Sequence, residues 1–201
     1  SANPYTLTDD DRTVIGNTTP KFSGGFGLNA TFKGFDVSAF FNFMYDFDVF
    51  NANKVMMTTW ASNNYNNFSM DISAAKRWRN FDDMGNEIRY SPEILAEFNK
   101  NATMWNPTSI GRPIAMSYAV EDGSFLRLNT ATIGYTLPRA WTNKVGLSRV
   151  RFYASGYNLF TITGYSGYDP EVDIATGLTP NIDNNRYPRS RTYTFGVQLT
   201  F

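Results

Sequence analysis

The stretch "RTYTFGVQLTF" (191–201) decides how the rest of the chain is read. From Tyr193 on, Tyr193, Phe195, Val197, Leu199 and Phe201 alternate with Thr194, Gly196, Gln198 and Thr200. A two-residue period in a strand sends each set to its own face, one wholly apolar and one wholly polar. In a soluble sheet the apolar face covers a core. In a membrane barrel it meets lipid, and the polar face meets a wet lumen. One strand does not separate the two readings.

The pattern recurs upstream. In "FSGGFGLNATF" (22–32), Phe26, Leu28 and Phe32 share a parity with Phe22 and Ala30. Lys33-Gly34 then reads as a two-residue hairpin turn. "FDVSAFFNFMY" (35–45) places Val37 and Phe41 on one face, with Phe40 and Met44 as exceptions on the other. "RLNTATIGYTL" (127–137) sets Ile133 and Tyr135 against threonines and Gly134, and Pro138 stops it. "VRFYASGY" (150–157) sets Phe152 against Arg151, Tyr153 and Tyr157. Five strands are therefore expected, at 20–32, 35–47, 121–137, 149–162 and 188–201. Within the long connection, "SPEILAEFNK" (91–100) reads as a short helix with Ser91 as N-cap and Pro92 at its first position.

Connection lengths alternate. Lys33-Gly34 and 138–148 are short, whereas 48–118 and 163–187 are long. Transmembrane barrels have short periplasmic turns and long outer loops. The reading is thus all-β, with antiparallel strands of a transmembrane barrel and long loops 48–118 and 163–187 facing out beside the segment 1–19. Five strands leave two unpaired edges, which hydrocarbon does not tolerate. The barrel is therefore incomplete in this chain, and the chain is expected to be part of something larger.

Composition excludes several other classes. The 201 residues carry 18 Lys+Arg against 18 Asp+Glu, so nothing favours a nucleic-acid partner. There is no Cys or His, which removes triads, thiolate nucleophiles and His/Cys metal sites. Mean hydropathy is −0.37 and no apolar run is long enough for a membrane helix. Alternating strands would not raise that average.

Four blocks resemble one family. They are "DRTVIGNTTPKFSGGFGLNATFKGFDVSAFF" (11–41), "VEDGSFLRLNTATIGYTLP" (120–138), "VRFYASGYNLFTITGYSGYDPEV" (150–172) and "YPRSRTYTFGVQLTF" (187–201). In this order they are similar to the C-terminal strands of the SusC/RagA family of TonB-linked (TonB-dependent) outer membrane transporters. The loop 48–118 carries no such match. The resemblance implies a 22-stranded barrel with an N-terminal plug domain, which is not present in these residues. It also implies a SusD-like lipoprotein lid, energy from TonB in the periplasm, and import of oligosaccharide or peptide across the outer membrane of a Gram-negative bacterium. The implied protein is not an enzyme. A soluble carbohydrate-binding β-sandwich and an outer membrane enzyme or adhesin barrel are the competing readings.

Site candidates follow from parity and position. Phe26, Leu28, Phe32, Val37, Phe41, Ile133, Tyr135, Phe152, Phe195, Val197, Leu199 and Phe201 are expected to face lipid. Arg127, Arg189 and Arg191 share that parity near the outer strand ends, as contacts for lipopolysaccharide phosphates or as a solvated rim. Arg151, Tyr153 and Tyr157 face the lumen, for substrate or for the wall and plug. Trp60, Tyr65, Trp78 and Trp105 in the long loop suit a glycan, the lid or the loop's own packing. Asp9–Asp11 suggest calcium weakly and lack the spacing of a calcium loop, so no cofactor is expected.

Overall fold

The computed structural model describes residues 12–60, 67–108, 115–172 and 180–201. In chain order the strands are β1 (Phe22–Phe32), β2 (Phe35–Tyr45), β3 (Asp48–Asn51), β4 (Val120–Asp122), β5 (Phe125–Thr136), β6 (Arg149–Thr163), β7 (Ile182–Asp183) and β8 (Thr192–Thr200). The five long strands form one antiparallel sheet in the order β1-β2-β5-β6-β8. Each is hydrogen-bonded to the long strand next in sequence, so the sheet is a meander. The three short strands form a second sheet, β4-β3-β7.

The strand expected at 121–137 is two elements. Val120–Asp122 pairs with Asp48–Phe50 in the small sheet, and β5 begins only at Phe125. The break is built by "EDGS" (121–124). The Gly123 N–H donates to the Phe47 carbonyl at 2.8 Å, and a Cβ at Gly123 would meet the Phe47 ring at 2.5 Å. β2 ends at Tyr45 rather than 47, since Asp46 takes φ +59° and its N–H bonds to Ser124 Oγ at 2.9 Å.

The turn between β1 and β2 has positive φ at both central residues, +46° at Lys33 and +89° at Gly34. That is the type I′ geometry, whose twist matches that of paired strands. It sets Phe32 opposite Phe35 and fixes the register of the whole hairpin.

Directly opposed residues share a face. One row runs Phe35–Tyr135–Phe152–Val197 and the next Val37–Ile133–Ala154–Phe195. Further rows join Phe26, Phe41, Leu128 and Phe160, and then Leu28, Ala39, Ala131, Gly156 and Tyr193. The rings of Phe26 and Phe41 stack at 4.9 Å. This apolar face is bare: Phe195 is 80 % exposed and Val197 54 %. Among the described residues no second sheet covers it, whereas a β-sandwich would bury such a face between its layers. The buried apolar cluster lies where the long connections leave, and consists of Phe47, Val49, Phe125, Tyr165 and Val172.

One irregularity changes a face assignment. Between the same two rungs, β2 steps directly from Phe40 to Phe41, β5 carries the extra residue Asn129, and β6 carries Asn158 and Leu159. Asn158 takes φ +52° to make room. Past this bulge, Leu126 and Leu128 take the apolar face opposite Phe43 and Phe41, and Arg127 lies opposite Asn42 on the polar face. The expectation that Arg127 shares the lipid-facing parity is therefore corrected. An extra residue inverts alternation beyond it.

The chain divides into two compact units. The first is Ser1–Phe50, Val120–Ile182 and Arg186–Phe201, and the second is Asn51–Ala119 with Asp183–Asn185. The second holds the helices α1 (Ala52–Met56) and α2 (Pro92–Asn99). α2 starts at Pro92 after Ser91, as expected, although the Ser91 side chain makes no capping bond. A third helix, α3 (Arg139–Thr142), lies in the connection from β5 to β6.

Val197 lies within the exposed apolar row, away from both ends of β8. Val197→Arg is expected to destabilise the protein in a bilayer by about 2–4 kcal/mol, the cost of an Arg near the midplane of a barrel's lipid face. Denaturant titration in lipid measures it, and an unchanged midpoint would place this face elsewhere than in hydrocarbon.

Candidate functional site

The polar face is organised around glycines that let long side chains lie flat across neighbouring strands. Arg151 on β6 reaches over β5 to Asp36 on β2, donating from Nε to Oδ1 at 2.9 Å and from Nη2 to Oδ2. The residue beneath that bridge is Gly134, where a Cβ would stand 2.5 Å from Arg151 Nη2 and 2.6 Å from Asp36 Oδ1. Tyr153, opposite Gly134, turns its ring the other way over Gly196, where a Cβ would meet it at 2.4 Å. The Arg151 guanidinium stands 5.3 Å from the Tyr153 ring centre. Arg151 therefore ties β6 across β5 to β2, and Tyr153 lies from β6 over β8, so the two side chains span four strands. Tyr157 alone of the three lumen candidates is well exposed, at 43 %.

At the opposite end of the sheet Arg127 is only 2 % exposed. Its Nη2 donates to Asp169 Oδ1 at 2.5 Å and its Nη1 to Oδ2 at 3.3 Å, with Glu171 Oε2 at 3.7 Å from Nη2. Arg189, ahead of β8, holds the other Glu171 oxygen at 2.7 Å. A strand, the loop after β6 and the segment leading into β8 are thus clasped by one charge network. Burial opposes ionisation of Asp169. The Arg127 guanidinium and the Glu171 N–H outweigh it and hold the carboxyl below its usual value. A buried Arg127 does not reach lipopolysaccharide, and Arg189 already engages Glu171. Arg191 remains exposed.

The long connection packs on itself. Trp105 donates from Nε1 to the Thr58 carbonyl at 3.0 Å and meets the Tyr118 ring edge-on at 5.1 Å. The Tyr118 hydroxyl donates to Asp71 at 3.0 Å, and Lys54 Nζ sits 4.5 Å from the Tyr118 ring centre. The Tyr118 bond, joined by one from Ser69, keeps the Asp71 carboxyl below its usual value. Trp105 is thus a packing residue. Trp60, 43 % exposed, pairs with Phe68 at 5.8 Å, and Trp78 is 40 % exposed, so these rings remain accessible. Tyr65 and Asp9–Asp11 lie outside the described residues. Among the described residues no group of three or more acidic, His or Cys side chains is arranged for a metal.

Parity alone did not reveal Asp36, Gly134, Gly196, Asp169 or Glu171. The signal for the first three was present once register is known, because a glycine in a polar row opposite a long side chain marks a place where that chain lies down.

No family model matches the chain. It is 32 % identical to the TonB-dependent receptor P3 of Formosa agariphila over 95 % of its own length and 17 % of that protein. It is also 32 % identical to the TonB-dependent receptor SusC of Bacteroides thetaiotaomicron over 75 % of its length and 15 % of that protein. Among solved structures it is similar to the RagAB peptide transporter, with TM-score 0.73 and 26 % identity, covering 98 % of this chain and 19 % of that one. The RagAB peptide importer in its closed-closed state gives TM-score 0.72 and 25 % identity, again over 98 % and 19 %. The chain therefore spans less than a fifth of the length of these relatives.

Two outcomes follow from the charge networks. Asp36→Ala and Arg151→Ala are expected to couple by about 1–3 kcal/mol in a double-mutant cycle. That coupling should vanish in a Gly134→Ala background, whose methyl displaces the guanidinium. Because the folded Asp169 titrates below its unfolded value near 3.9, its stabilisation is complete above that pH and is lost as pH falls through the folded value. Hydrogen exchange of residues 164–172 should stay slow at neutral pH and accelerate only in acid. Arg127→Met should make it fast at every pH.

Proposed function

Because this chain belongs to the SusC/RagA family of TonB-dependent receptors, we propose that it forms part of the barrel wall of an outer-membrane nutrient importer. The rest of the barrel and a plug are supplied by sequence beyond these residues. A SusD-like surface lipoprotein covers the outer mouth, and TonB supplies energy from the periplasm. The cargo is an oligosaccharide, or a peptide of the kind named for the RagAB importer. The observation that carries this reading is the bare apolar face from Phe26 to Val197, backed by a polar face on which Arg151 and Arg127 are paired with carboxylates.

In this reading the Lys33-Gly34 turn and the connection 137–148 lie in the periplasm, and the long connections lie outside. Within the second unit the exposed pair Trp60–Phe68 and Trp78 supply aromatic surface on which sugar faces or apolar side chains rest, and Tyr157 supplies another ring on the sheet's polar face. Arg191 stands at the outer rim, available to lipopolysaccharide phosphate.

Deleting the gene for the full-length receptor from its host should abolish growth on at least one oligosaccharide or peptide source and leave growth on monosaccharides and free amino acids intact. Affinity purification of the receptor should bring down a surface lipoprotein. Unchanged growth across both substrate panels would refute import. Loss on peptide alone, or on glycan alone, assigns the cargo.

A further inference from the structure

The short-turn end of the sheet carries a surface that import does not explain. Lys33, Arg139 and Lys144 are all exposed there. Among the described residues none of the three forms an ion pair. The one acidic side chain among the described residues that build this end, Asp36, is already held by Arg151. The ammonium of Lys33 lies 5.2 Å from the Phe32 ring centre, and Phe32 is 70 % exposed on the apolar face. Its charge is thus held at the border of the apolar band, with its stem along a lipid-facing ring.

The other two cations are interleaved in sequence with an apolar pair. α3 runs directly into a 3₁₀ turn, Asn143–Val145, which ends at Gly146 with φ +71°. Trp141 and Val145, four residues apart, are 61 % and 70 % exposed, while Thr142 between them is buried. A turn that met only water would gain nothing from presenting an indole and an isopropyl group outward. A Trp beside Lys and Arg at the end of an apolar band is the chemistry of a membrane interface, where the ring enters the headgroup layer and the cations meet phosphate.

We propose that this end is a docking surface for acidic glycerophospholipids of the inner leaflet, with Lys33, Arg139 and Lys144 on the phosphates and Trp141 and Val145 in the interface. It rests on the barrel-wall reading, with the short turns in the periplasm. The contact of Lys33 with Phe32 of the apolar face and the exposed indole of Trp141 select a lipid, and three cations without ion pairs select an acidic headgroup.

The full-length receptor, reconstituted with phosphatidylglycerol and phosphatidylcholine of equal acyl length, is examined by native mass spectrometry. Wild type should retain phosphatidylglycerol preferentially and lose it as salt rises. Combining Lys33→Asn, Arg139→Gln and Lys144→Gln should lower that retention on the order of a hundredfold, at roughly fivefold per cation removed. Asn is chosen at Lys33 because it tolerates positive φ. Replacing Lys33 and Lys144 by Arg should preserve retention. Heat-modifiable migration confirms folding, and if the triple variant fails that check, Lys144→Gln alone should show the fivefold loss. Equal retention of the two lipids by wild type would overturn the proposal. So would undiminished retention in the neutral variants, or displacement of phosphatidylglycerol by lipopolysaccharide. Uptake that falls in the triple variant while its lipid retention holds would also overturn it, assigning the rim to a periplasmic protein. A wild-type receptor that takes up neither cargo yet keeps its lipid selectivity would count against import alone.

Discussion

A backbone amide in hydrocarbon has no water to bond, so every one must find a partner in another strand. That requirement organises this chain. Four antiparallel ladders join the five long strands, broken only where β5 and β6 carry extra residues against β2. The same requirement makes the outer edges of β1 and β8 unfinished business for this chain alone. Among the described residues no further strand pairs with either edge. The receptors it resembles are five to six times longer than this chain.

Within that constraint the polar face solves a packing problem of its own. Among the described residues no layer opposes the polar face of the sheet, so long side chains lie along the sheet and need gaps to lie in. Gly134 accommodates the Arg151–Asp36 bridge, Gly196 the Tyr153 ring and Gly25 the Phe40 ring, whose tip would stand 2.8 Å from a Cβ there. Phe40, which breaks the alternation of β2, therefore has its place over glycine. Charge neutralisation and strand bracing are achieved by the same contact, so the wall is stiffened without a hydrophobic layer.

The long-connection end is held by a different device. Phe47, Val49, Phe125, Tyr165 and Val172 make a small dry core, and beside it Arg127 draws Asp169 and Glu171 into one network that also holds Arg189. A buried cation without partners would be prohibitive; two carboxylates from one loop make it tolerable and anchor that loop. The second unit shows the same economy locally, with Trp105, Tyr118 and Asp71 linked by bonds within the connection itself.

Alternation at period two was enough to find the five strands, their apolar faces short of the bulge and the short-turn end, and Ser91-Pro92 marked the short helix. Such features depend only on residues near one another in the chain, and local sterics expresses them directly. The fate of Arg127 was not legible, because Asn129 looks like any other strand residue and only the step it makes against β2 and β6 shows that it inverts the face. Likewise the strand expected at 121–137 had to be split where Gly123 passes under Phe47, a contact between residues 76 positions apart. What the sequence determined was which side of each strand is oily. Which polar groups meet across strands was settled by register, and register is a property of neighbours brought together in space.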